Sequence, residues 1–186
     1  MKYISPLSML YKWEKDKADD IFLSQPIDSV LHNWTWKEVA VESRKMAAYL
    51  LSLDLPKKSK IGILSKNCAH WIMSDFAIMM AGHVSVPLYP NLNAETLEKI
   101  LTHSETKVLF VGKLDDYSSM RKGVSKDIQC ITYPFYSEDY PRWDMLVKDI
   151  NPITDDIVRD EKDIATIIYT SGTTGDPKGV MHKFFN

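Results

Sequence analysis

Residues able to handle a polyphosphate are concentrated in one run, Tyr169-Thr-Ser-Gly-Thr-Thr-Gly-Asp-Pro-Lys-Gly179. Ser171, Thr173 and Thr174 bring hydroxyl donors, Gly172, Gly175 and Gly179 bring backbone freedom, and Lys178 brings positive charge. Glycines let successive peptide N–H groups turn toward one point, and a nest of such donors beside a lysine is an anion-binding concavity. The preceding residues, Ile164-Ala-Thr-Ile-Ile-Tyr169, are apolar and mostly β-branched, which predicts a buried strand that empties into the loop. A Walker A loop is excluded by spacing. Lys178 follows Pro177 instead of a glycine, and Gly179 stands where the magnesium-binding Ser or Thr would be. Pro177 also removes a backbone donor, so no helix with free N–H groups starts through it. Asp176 has the wrong sign to face phosphate and is expected to be a turn residue pointing to solvent.

The run resembles the phosphate-binding signature of the adenylate-forming (AMP-binding) superfamily, Y-T-S-G-T-T-G-x-P-K-G-V, which includes acyl-CoA synthetases, luciferase and peptide-synthetase adenylation domains. Further segments are similar to that family: Trp34-Thr-Trp-Lys-Glu38, Lys60-Ile-Gly-Ile-Leu-Ser-Lys-Asn67, and Ala77-Ile-Met-Met-Ala-Gly82 followed by Val86-Pro-Leu-Tyr-Pro90. Among its branches the texture of Leu88-Tyr-Pro-Asn-Leu-Asn and Leu109-Phe-Val-Gly-Lys-Leu-Asp most resembles long- or medium-chain fatty acid–CoA ligases. One departure is Phe184, which stands where family members often carry a histidine; His182 lies two places earlier.

The resemblance implies activation of a carboxylic acid by ATP to an acyl-adenylate, then thioester formation with coenzyme A. By the same resemblance Thr170, Ser171, Gly172, Thr173, Thr174, Gly175 and Lys178 bind the nucleotide phosphates, with Thr170 reaching Mg2+. The acid pocket, a magnesium-holding glutamate, a ribose-binding aspartate and a lid with a catalytic lysine would follow Asn186. Residues 1–186 are therefore expected to be the N-terminal portion of the AMP-binding domain, ending just after the phosphate loop and without a catalytic residue or turnover of their own. A non-catalytic association module and the adenylation domain of another acid-activating enzyme, peptide-synthetase or aryl-acid, stay open as alternatives.

The elements that must position the loop are legible in the periodicity. Ser5-Pro6 predicts an N-cap and a helix to about Glu14; Ile21 to Ser24 and Val30 to Trp34 predict strands. Thr35-Trp-Lys-Glu38 is a capping box for a long helix carrying Val39, Ala40, Met46, Ala47, Leu50 and Leu51. Ile61–Leu64, Val84–Leu88, Lys107–Val111 and Ile128–Thr132 are strand runs. Between them lie a helix capped by Asn67, with Ala69, Ile72, Met73, Phe76 and Met80 on one face, and a helix from Asn93 to Leu101. Residues 134–160 are predicted to be irregular. Strand, helix, strand, helix, strand is the pattern of an α/β fold, a mainly parallel sheet flanked by helices.

Composition narrows the classes further. Lys and Arg number 23 against 25 Asp and Glu, which leaves no basic footprint for nucleic acid. Cys68 and Cys130 stand in no metal-ligand spacing and are expected to be buried, reduced thiols of a cytoplasmic protein. Met1-Lys-Tyr-Ile-Ser-Pro6 lacks a signal-peptide core, and the apolar stretch from Ala69 to Tyr89 is broken by His70, Asp75, His83 and Pro87. No transmembrane segment is expected, which leaves peripheral membrane contact and self-association open. His32, His70, His83 and His103 show no triad or metal spacing and are assigned structural roles; Met73, Met79 and Met80 are assigned to the core. Trp13, Trp34, Trp36, Trp71 and Trp143 are too scattered for a base-stacking platform, and Lys57, Lys58 and Lys60 are expected in a solvated loop.

Overall fold

The computed structural model describes residues 4–136, 139–171 and 177–185. Helix α1 (Pro6–Asp16) starts where Ser5 Oγ accepts the Ser8 amide at 3.1 Å. Strands β1 (Ile21–Ile27) and β2 (Val30–Thr35) form an antiparallel hairpin outside the main sheet, with β1 running on through Pro26. Helix α2 (Trp36–Ser52) opens with the predicted capping box: Glu38 N–H donates to Thr35 Oγ1 at 3.2 Å, and Thr35 N–H to Glu38 Oε2 at 2.7 Å.

The sheet follows: β3 (Lys60–Leu64), α3 (Ala69–Met80), β4 (Val84–Leu88), α4 (Ala94–Ser104), β5 (Val108–Val111), β6 (Gln129–Thr132), a one-turn α5 (Trp143–Leu146), β7 (Ile164–Ser171) and β8 (Pro177–Lys183). Strand order is β6-β5-β3-β4-β7-β8, parallel except for β8, which returns antiparallel along β7. This is the α/β class expected from the alternation of runs. Strand β8 is new to the structure, since residues 177–179 had been assigned to the loop.

Both faces of the parallel strands are covered, so their side chains are apolar almost without interruption. Helices α1, α2 and α3 close one face over Ile61, Ile63, Phe110, Ile131 and Trp143. Helix α4 and a 3-10 turn at Arg121–Gly123 close the other over Leu64, Val86, Leu88, Leu109 and Val111. Full burial of side chains of this size stabilises by roughly 1.5–3 kcal/mol each. Helix α3 is pressed between α2 and the sheet, so Ala77, Ile78, Met73, Met79 and Met80 are all buried, while Ile72 and Phe76 keep some exposure. A single apolar face therefore understates its burial.

Asn67 does not cap α3. The N-cap is Cys68, whose side chain makes no capping bond, and the Ala69 amide is taken instead by Gln25 Oε1 from β1 at 2.8 Å. Gln25 Nε2 donates to Tyr136 Oη at 2.9 Å, so one amide ties the hairpin, the helix start and the turn after β6 together. Lys58, expected to be solvated only, pairs with Asp163 at 2.8 Å.

Candidate functional site

Strand β7 carries the candidate site. Its only ladder pair with β4 is Ser85 with Thr166. Pro87, two residues on, has no N–H to donate to a neighbouring strand. At that register β4 ends beside Tyr169, and Thr170 and Ser171 project past it toward the C-terminal edge of the parallel strands.

The other side of β7 is braced. The Tyr169 hydroxyl and His103 Nδ1 of α4 are 2.6 Å apart. Tyr169 also lies across Gly179, its register partner: a Cβ at Gly179 would come 3.1 Å from Tyr169 Cζ and 3.0 Å from Ile167 Cγ2. Gly179 therefore serves close packing within a strand, not the wrapping of an anion. His103 has the structural role assigned to it.

At the end of the hairpin Thr170 pairs with Lys178 and Ser171 with Pro177. Paired residues of an antiparallel ladder share a face, so the Thr170 and Lys178 side chains project to the same side. Both residues are exposed, and Lys178 forms no ion pair among the described residues. A cation with no ion pair among the described residues, on the same face as a hydroxyl at the mouth of a hairpin, suits an anion. Gly172, Thr173, Thr174, Gly175 and Asp176 lie outside the described residues, as does the side chain of Ser171.

A cleft of about 680 Å³ adjoins this mouth, and sequence reasoning had missed it. The chain leaves β3 toward α3 on one face and leaves β4 toward α4 on the other, so a crevice opens between the two strand ends. Ligands of open α/β sheets bind at such reversals. Trp71, Pro87, Leu88 and Ile168 make apolar walls, and Lys66 and Lys113 stand at the rim. Lys66 is held by Asp115 at 2.5 Å. The signal that could have located the cleft was the Ser65-Lys-Asn67 segment directly after a buried strand.

One turn along α3 from Trp71, a polar patch lies between helix and sheet. The Asp75 carboxyl is enclosed, and burial pushes its pKa up to about 6 despite the Ser85 hydroxyl beside it. Ser85 and Asp75 do not meet hydrogen-bond geometry, and Ser85 Oγ and Thr166 Oγ1 are both buried without partners. His182 is the register partner of Thr166 on β8. Phe184, the departure from the family histidine, turns inward, with the Arg159 guanidinium 5.0 Å from its ring centre.

The profile of the AMP-binding enzyme family matches residues 11–186. The chain belongs to that family. It is 31% identical over 180 residues to a long-chain-fatty-acid–CoA ligase of Mycobacterium bovis, covering 92% of this chain and 30% of that protein. It is 34% identical over 164 residues to a long chain acyl-CoA synthetase of Arabidopsis thaliana, covering 79% of this chain and 24% of that one. These AMP-binding relatives are thus more than three times as long as the segment they share with this chain. The fold matches the anthranilate CoA ligase AuaEII, solved with anthranoyl-AMP, at a TM-score of 0.83 and 23% identity over 98% of this chain and 35% of that one. A benzoate CoA ligase from Burkholderia xenovorans LB400 matches at 0.77 and 18%, over 97% of this chain and 34% of that one. At those identities the likeness is one of fold. Among the described residues no helix is long and apolar enough to cross a membrane.

Proposed function

We propose that this chain supplies the nucleotide-phosphate site of an acid–thiol ligase that uses ATP to activate a fatty acid and passes the acyl group to coenzyme A. The observation that carries this reading is the exposed Thr170–Lys178 pair at the end of β7, beside an apolar cleft with a cationic rim. Support for the acid class comes from the Mycobacterium bovis relative, named a long-chain-fatty-acid–CoA ligase, and the Arabidopsis thaliana one, named a long chain acyl-CoA synthetase.

In the first half-reaction a carboxylate oxygen attacks the α-phosphorus of ATP and pyrophosphate leaves. Negative charge grows on the leaving group, so preorganised donors and a cation gain strength in the transition state. Lys178 provides the cation, and the Ser171–Gly175 segment with Gly172, Thr173 and Thr174 provides backbone and hydroxyl donors. Thr170 would offer its hydroxyl to Mg2+, which would supply charge neutralisation at the phosphates. In the second half-reaction the coenzyme A sulfur attacks the acyl carbonyl and AMP leaves. The cleft suits coenzyme A, since its lysine rim matches an anionic end and its Trp71, Pro87 and Ile168 walls match a neutral arm.

Acid pocket, magnesium carboxylate and catalytic lysine lie, on this reading, beyond residues 1–186. Both cysteines are free thiols, with Cys130 buried, which supports a reducing, cytoplasmic setting. The test is product analysis by mass spectrometry on the chain extended to the length of its relatives, given palmitate, ATP, Mg2+ and coenzyme A. Palmitoyl-CoA with AMP is expected. ADP and free phosphate in place of AMP would overturn the reading.

A further inference from the structure

A second recess, separate from the cleft between β3 and β4, lies where the β1–β2 hairpin meets the start of α3. It has a volume of about 440 Å³ and is lined by Trp34, His70, Pro134, Phe135, Arg142 and Asp144. Three of its lining residues carry rings: His70 is edge-on to Trp34 at 6.0 Å and to Phe135 at 6.5 Å, and His32, outside the lining, stacks on Trp34 at 6.3 Å and lies 5.0 Å from Phe135. The walls come from separate segments, and the Gln25 amide that links Ala69 and Tyr136 holds three of them in register.

Three features of this recess bear on what it can hold. Phe135 has a φ of 72°, a left-handed conformation that is strained for a bulky residue, yet it leaves its ring 51% exposed. His70 is only 7% exposed, and its ring nitrogens make no hydrogen bond among the described residues. Burial holds its pKa down to about 4, so the imidazole is neutral, with one donor and one acceptor to offer. Arg142 and Asp144 form a two-bonded fork at the rim, at 2.6 and 2.7 Å, which cancels their charges.

We propose that this recess binds a neutral, planar heteroaromatic ring of the nucleobase type, stacked on the exposed ring of Phe135 beside Trp34 and hydrogen-bonded to His70. With Arg142 and Asp144 neutralising each other, the rim favours neither a cation nor an anion, whereas a neutral base offers a π face for stacking together with a donor or acceptor for the imidazole. A purely apolar ring would leave the His70 nitrogens unsatisfied. The proposal is independent of the phosphate-site reading, since none of its residues belongs to β7 or β8.

The probe is adenosine, which carries the base without phosphate, titrated into the purified protein by calorimetry. Saturable one-to-one binding is expected, and NMR should show nuclear Overhauser contacts between the adenine protons and the Phe135 ring. Phe135→Gly removes the ring and relieves the backbone, because glycine accepts a positive φ; it should weaken binding roughly tenfold with an unchanged unfolding midpoint. Lys178→Ala should leave adenosine affinity as it is. Absence of binding, equal binding of toluene, loss with Lys178→Ala instead of Phe135→Gly, or contacts with β7 in place of Phe135 would each overturn the proposal.

Discussion

At Lys178 the distinction between a phosphate contact and a structural residue can be measured. Lys178 is exposed, shares a face with Thr170 and forms no ion pair among the described residues. Lys178→Ala is expected to slow adenylation about ten- to a hundredfold, the usual loss for a hydrogen bond to a charged group. Thioester formation from preformed acyl-adenylate should be nearly unchanged, because pyrophosphate has already left; separate single-turnover assays of the two steps check this, and equal damage to both would assign Lys178 to the fold. Asp75 and His70 make opposite contributions to stability as pH changes. The folded Asp75 carboxyl has a pKa of about 6 against 3.8 unfolded, so the folded state binds the extra proton and stability falls as pH rises from about 4 to 6. At neutral pH that loss is on the order of 3 kcal/mol. His70 has its pKa lowered from 6.5 to about 4, so its contribution is present above 6.5 and is lost as pH falls through that window. The two offset each other in the native chain. Asp75→Asn should therefore be more stable than the native protein at pH 7 and should gain stability with pH between 4 and 6, as followed by urea unfolding. A variant less stable at pH 7 would show that the carboxylate is satisfied in a way Ser85 and Thr166 do not reveal.

Among the elements, the start of α3 separates what one-dimensional reading can find from what it cannot. The capping box at Thr35 and Glu38 is local, three residues apart, and its two hydrogen bonds form as the spacing predicts. Asn67 has the right residue type in the right place for a cap, yet the Ala69 amide is satisfied by Gln25, 44 residues earlier in the chain. No propensity encodes such a tie. Gln25→Ala should cost roughly 1–3 kcal/mol, since it leaves a buried amide without a partner, while Asn67→Ala should be close to neutral. The reverse order in urea unfolding would restore Asn67 as the cap. The β-strands of the sheet were legible because each is an apolar run covered on both faces. Strand β8 was not: its Pro177, Lys178 and Gly179 carry the marks of a turn, and only pairing with β7 makes them extended. In the candidate site, Thr170 and Lys178 were named from the signature, and the ladder adds that they are neighbours. The cleft could not be named, because it depends on strand order, which brings Lys66 and Lys113 to one rim through β3 and β5.

Over the whole molecule, the sheet ends in β8, where Val180, Met181 and the following Phe185 remain 45%, 63% and 57% exposed. An edge strand with apolar neighbours is a template for pairing. The 186-residue chain is expected to self-associate, with a sedimentation coefficient that rises with concentration and falls back in Met181→Lys; a compact monomer at high concentration would show that this edge needs no cover. The same architecture sends the Thr170–Lys178 pair and the crevice to one edge of the parallel strands, which is where adenylation is proposed to occur. Acid-dependent exchange of labelled pyrophosphate into ATP tests that proposal most directly, because it reports formation and reversal of acyl-adenylate without coenzyme A. The chain extended to the length of its relatives should exchange label in the presence of long-chain fatty acids and lose most of that exchange with Lys178→Ala, and residues 1–186 alone should stay at background. Robust acid-dependent exchange by the 186 residues, or none by the extended chain with any carboxylic acid, would contradict it.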